Sequence, residues 1–117
     1  MRMLTSAISL LFLVMAGNAA EAHAFLDHAE PRVGSTVSTA PREVVLTYTQ
    51  NLEPAFSSIE VSDANGTRVD LGKPRISGGV MRVGVKQLPP GTYKVRWQVL
   101  SVDTHTTEGR FTFHVGQ

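Results

Sequence analysis

The chain has 117 residues, enough for one modest core and too few for two ordinary domains. Lys and Arg number 11 against 10 Asp and Glu, a net charge of +1, and the cations are scattered singly. That excludes a nucleic-acid footprint or a polybasic membrane patch, and the absence of cysteine excludes disulfides, thiolate zinc sites, iron–sulfur clusters and blue-copper centres.

Residues 1–22 read as a cleaved secretory signal. Arg2 supplies a short positive start, and Leu4 to Ala16 is an apolar run too short to span a bilayer comfortably. Gly17-Asn18-Ala19-Ala20-Glu21-Ala22 then offers the small residues that a signal peptidase accepts. Cleavage after Ala22 frees His23 as the first residue of a mature domain, 23–117. Cuts after Ala19 or Ala24 satisfy the same small-x-small rule, and a retained anchor is the alternative that the short run disfavours.

From His23 onward, short alternating segments recur between turn signals, the pattern of an all-β sandwich. Glu43 to Thr49 is β-branched and follows Ala40-Pro41. Ser58 to Ser62 alternates polar and apolar, and Asp63-Ala64-Asn65-Gly66 turns the chain into Thr67 to Leu71. Met81, Val83 and Val85 alternate with Arg82, Gly84 and Lys86. Tyr93, Val95, Trp97 and Val99 alternate with Lys94, Arg96 and Gln98, and Phe111, Phe113 and Val115 with Thr112 and His114. A period of two puts each apolar set on one face, ready to pack on a second sheet. No stretch carries a sustained helical stripe. Pro89-Pro90-Gly91 leading into Tyr93 predicts a tyrosine corner, with the phenol bonded back to the preceding backbone. Tyr93 and Trp97 are therefore read as architecture.

Four histidines follow the signal: His23, His28, His105 and His114. A terminal histidine offers both its α-amine and its imidazole to one metal. Such nitrogen donors suit Cu(II) and Zn(II), and copper(II) binds most tightly in the divalent series. The amine exists only if cleavage falls directly before His23. Asp103-Thr104-His105 follows the strand ending near Leu100, and alternation is expected to place its carboxylate and imidazole on one side. With His23 these make three nitrogens and one oxygen, a set matched to tetragonal Cu(II). On spacing alone, a loop carboxylate orienting a surface imidazole explains the pair equally well. His28 is expected on the opposite face and His114 in solvent, neither a ligand. Asp27, Gln50 and Glu53 are not placed by the sequence.

His23-Ala24-Phe25-Leu26, Pro31, Gly34-Ser35-Thr36-Val37, Ala40-Pro41 and Val45-Leu46-Thr47-Tyr48 together resemble the opening of the CopC family of copper-resistance proteins. Leu88 to Trp97, Val99 to His105 and Gly109 to Val115 continue the resemblance to the end of the chain. It implies a seven-stranded Greek-key β-sandwich of Ig-like or cupredoxin-like appearance. It also implies one Cu(II) per mature chain, held by His23, Asp103 and His105. Some members carry a Met-rich Cu(I) segment. Here Met1, Met3 and Met15 leave with the signal and Met81 alternates with core valines, so the chain resembles the Cu(II)-only branch. The implied role is a periplasmic, monomeric, non-enzymatic Cu(II) carrier or buffer for copper homeostasis, serving a CopD-like inner-membrane importer. The alternatives are a small copper enzyme with an N-terminal histidine site and a metal-free adhesive sandwich.

Overall fold

The structure, a computed structural model, describes residues 24–116. The period-two segments become strands because each can bury one face. The strands are β1 (Leu26–Glu30), β2 (Thr36–Val37), β3 (Glu43–Tyr48), β4 (Ser58–Ser62), β5 (Asp70–Ser77), β6 (Val80–Val85), β7 (Gly91–Leu100) and β8 (Thr106–Val115). One turn of 3-10 helix, Pro54–Phe56, lies between β3 and β4. They form two four-stranded sheets, ordered β1-β3-β6-β5 and β2-β8-β7-β4. Apart from the parallel β2–β8 pair, every pairing is antiparallel.

The predicted all-β sandwich is therefore present, with eight strands instead of seven. The extra one, β2, is two residues long and completes the sheet beside His114 and Val115. Two other segments are only partly marked in the sequence, β5 by its first residues alone. β5 extends to Ser77 through Gly72 and Pro74, residues that read as strand breakers but are tolerated at a sheet edge, which β5 occupies. β1 is likewise an edge strand, and its polar Leu26-Asp27-His28-Ala29-Glu30 lacks clean alternation because a bulge falls between Leu26 and His28.

Between the sheets, Val44, Leu46, Met81 and Val83 meet Val61, Val95, Val99 and Phe113, all essentially inaccessible. Leu46, Met81 and Ile76 sit opposite one another across β3, β6 and β5. Met81 is core filler, as its alternation with valines implies. Tyr93 and Phe113 stack with centroids 5.5 Å apart, and the Tyr93 hydroxyl donates to the Pro89 carbonyl at 2.5 Å, the predicted tyrosine corner. Burial pushes the Tyr93 hydroxyl pKa up, so this donor keeps its proton.

Trp97 meets Tyr48 edge-on, centroids 5.2 Å apart, joining the ends of β3 and β7. The loops at this end of the sandwich are laced by backbone hydrogen bonds. Leu52 bridges Ser101, the Glu53 N–H donates to Leu100 and the Val102 N–H donates to Asn51. The β5–β6 hairpin closes on Gly78-Gly79 against the same loops. A Cβ on Gly79 would come within 2.8 Å of the Tyr48 carbonyl, so glycine is required for that approach.

Candidate metal centre

β7 ends at Leu100 and β8 starts at Thr106, leaving five residues to reverse the chain. Ser101 opens the turn and is completely buried. Its N–H donates to the His105 carbonyl at 3.0 Å, and its own carbonyl accepts from the Thr104 N–H at 2.8 Å. Thr104 adopts φ +71°, a left-handed conformation that a β-branched residue rarely enters. These bonds close a tight loop that carries Asp103 and His105 on its rim.

The two side chains come together: His105 Nδ1 lies 3.4 Å from Asp103 Oδ1. The expected proximity is present, but strand alternation is not its cause. Asp103 and His105 belong to a turn, and the reversal at Thr104 brings them to one place. The Ser101 hydroxyl donates to Asp103 Oδ1. That donation, with the His105 imidazole alongside, holds the Asp103 carboxyl below the usual carboxylate range, against a smaller opposing effect of desolvation. Asp103 is thus an anionic oxygen donor at neutral pH. Both side chains remain accessible, at 33% and 48% exposure, open to an ion from solvent.

The chain approaches this turn from β1. Thr107, two residues beyond His105, donates its hydroxyl to the Ala24 carbonyl at 2.8 Å. The Phe25 N–H donates to the Thr49 hydroxyl at 3.0 Å, and the Thr49 N–H returns a bond to the Phe25 carbonyl. Ala24 itself is fully buried. His23 and the signal segment 1–22 lie outside the described residues.

The remaining histidines are held elsewhere. The bulge in β1 pairs His28 with Thr47 on the outer face, where its Nε2 lies 3.4 Å from Glu30 Oε2. His114 Nδ1 lies 2.9 Å from Thr92 Oγ1, and His114 is half-buried rather than fully in solvent. It sits eight residues up β8 from Thr106, roughly 26 Å at strand rise, at the far end of the sandwich. Asp27 belongs to the exposed β1 edge, whereas Glu53 runs beside Leu100 at the near end of the turn. Ser101, Thr49 and Thr107, which organise the turn and the incoming chain, were not singled out by sequence reasoning. Ser101-Val102-Asp103 does carry a signal: short polar side chains two residues apart favour local hydrogen-bonded turns.

Residues 26–116 match the CopC domain family. CutJ of Bacillus subtilis, a copper transport protein, is 33% identical over 114 residues; the match covers 94% of this chain and 21% of that much longer protein. YobA of Escherichia coli K12 is 31% identical, with 97% of this chain and 95% of YobA covered. Among solved structures, CopC from Methylosinus trichosporium OB3b superposes with a TM-score of 0.75 at 32% identity, covering 80% of this chain and 94% of that one. PcoC of Escherichia coli, described as a methionine-rich copper resistance protein, gives 0.71 at 31% identity, covering 80% and 99%. Two packed β-sheets, a tyrosine corner at the start of β7, and a sequence match across almost every described residue lead to one conclusion: the chain belongs to the CopC domain family.

Proposed function

We propose that this chain is a periplasmic Cu(II)-binding protein of copper homeostasis, exported with cleavage after Ala22. As a monomer it holds one Cu(II) through the α-amine and imidazole of His23 with Asp103 and His105. It buffers that ion for, or passes it to, a CopD-like membrane importer. The role is binding rather than catalysis.

The tether at Ala24 carries this reading. Thr107 holds the Ala24 carbonyl, and Thr107 follows His105 by two residues, at most about 7 Å of chain. His23 is one peptide unit from Ala24, with successive Cα atoms about 3.8 Å apart, so the tether keeps the start of the mature chain on the side of the turn that carries His105. Among the described residues no group of three or more His, Asp or Glu gathers, so the Asp103–His105 pair needs donors from beyond them. The 3.4 Å separation of His105 Nδ1 from Asp103 Oδ1 sets the carboxylate beside the imidazole, so the two groups can serve one ion. Three nitrogens and a carboxylate suit tetragonal Cu(II), and copper leads Zn(II) and Ni(II) in intrinsic affinity. Burial of Met81 leaves no soft Cu(I) site among the described residues. CutJ supports the importer, since there the matching segment is about a fifth of a longer copper transport protein.

The test is a Cu(II) competition titration of the secreted protein, its N-terminus fixed by intact mass, beside a form carrying one extra Gly before His23. The native form is expected to bind one equivalent with a type 2 spectrum and no intense blue band. Amine and imidazole must both lose a proton to bind, so acidification should weaken binding. Equal affinity in the Gly-extended form would refute the terminal-histidine site.

A further inference from the structure

We propose that Ser101 is a positioning residue of the metal centre, its hydroxyl occupying one oxygen of the Asp103 carboxylate and leaving the other for the ion. The inference rests on the metal-binding reading above and assigns a role to a residue outside the ligand set.

Ser101 is the one buried polar residue among the described residues, in an interior otherwise lined by apolar side chains. A buried hydroxyl must find partners, and here two acceptors lie in range: Asp103 Oδ1 and, at 3.2 Å, the His105 carbonyl. A hydroxyl has one proton to give. The charged carboxylate is the closer and stronger acceptor, and the His105 carbonyl already accepts from the Ser101 N–H at 3.0 Å. The proton therefore goes to Asp103, while the backbone of the same residue holds His105. One buried residue ties down both rim residues, by its side chain to one and its main chain to the other.

Its own position is fixed from behind. Ser101 bridges Leu52, and the neighbouring Val102 N–H donates to the Asn51 carbonyl, so the turn is braced against the 50–53 segment and cannot drift without breaking those bonds. The consequence is chemical. A carboxylate free to rotate presents either oxygen to a metal, whereas one held by a buried donor presents one. Hydrogen-bonded supports of this kind commonly change metal affinity 10–100-fold when removed.

The experiment compares Ser101→Ala, Ser101→Thr, Asp103→Ala and the double variant Ser101→Ala/Asp103→Ala, all with native His23. Cu(II) affinity, the rate of Cu(II) loss to excess EDTA, the electron paramagnetic resonance spectrum and the copper-free melting temperature are measured. Ser101→Ala is expected to lower affinity about tenfold or more, speed Cu(II) loss and shift the copper spectrum, while the copper-free domain still melts cooperatively. Ser101→Thr, which keeps the hydroxyl, should restore most of the affinity. In the double variant the serine change should add little to Asp103→Ala, because it acts through that carboxylate. A general loosening of the fold would instead add fully and leave the spectrum of bound copper unchanged. Wild-type affinity and spectrum in Ser101→Ala, or full additivity in the double variant, would overturn this proposal alone. Failure of the wild-type chain to bind Cu(II) would overturn the metal reading and this role with it.

Discussion

Trp97 and Gly109 face each other across β7 and β8, and the indole lies directly over the glycine. A methyl group at position 109 would come within 2.5 Å of Trp97 Cζ2, 2.9 Å of Cε2 and 3.2 Å of Cη2. Carbon atoms rest at about 3.5–4.0 Å, so the ring must retreat by about 1 Å. On another side it meets Tyr48 edge-on at 5.2 Å, and Tyr48 is buried by both sheets, leaving little room. The indole N–H has no hydrogen-bond partner among the described residues, so fit alone holds the ring. Gly109→Ala therefore combines overpacking, about 1–3 kcal/mol, with partial loss of the aromatic pair, about 0.5–1.5 kcal/mol. A net cost of about 2 kcal/mol corresponds to a Tm drop of about 8–16 °C in a domain of this size. Thermal melting of the copper-free protein by circular dichroism reads this directly. Trp97 is the chain's single tryptophan, so its emission reports the ring's displacement in the same sample. Replacing Trp97 by Phe should relieve much of the penalty and give a favourable coupling in the double variant. A Tm within about 2 °C of wild type, with unchanged emission, would show that the packing argument is wrong.

Thr107→Val removes the donor to the Ala24 carbonyl while keeping the side-chain shape; losing that bond, worth about 1 kcal/mol, should weaken Cu(II) binding up to about fivefold with little change in the core, as a competition titration would read. Unchanged affinity would disconnect the tether from the site. Asp70 accepts from the Val61 N–H at 2.9 Å and from Arg68 Nε and Nη2 at 2.7 and 2.8 Å. The Arg68 bond first, then the Val61 bond, hold its carboxyl below the usual range, against desolvation. Its folded pKa thus lies below the unfolded value of about 3.9, so its stabilisation is complete above that pH and is lost as pH falls through the folded pKa. Denaturant midpoints of wild type and Asp70→Asn should differ at pH 7, and the gap should shrink steadily as pH falls below about 4; a gap unchanged from pH 7 through the acid range would contradict this.

The sequence by itself determined the sandwich. Alternation in 43–49, 58–62, 81–85, 93–99 and 111–115 survives into the observed strands because each buries one face and exposes the other, and a period of two is then compulsory. The tyrosine corner was legible too, since proline and glycine fix the local backbone before any long-range contact forms. The edge strands β1 and β5 were poorly legible, because they bury little and their residues escape the constraint that writes a pattern, whereas β4, also at an edge, keeps its alternation by burying Ile59 and Val61. Asp103 and His105 were recognisable as a pair by residue type and spacing. Why they meet was decided by the tertiary structure, through a left-handed Thr104 and a turn braced on Leu52 and Asn51, about fifty residues away in the chain. The tether of Ala24 to Thr107 spans 83 residues, and the separation of His114 from the turn follows from the length of β8. Contacts so distant in sequence arise when two sheets close on a shared core, and no local pattern of residues encodes them.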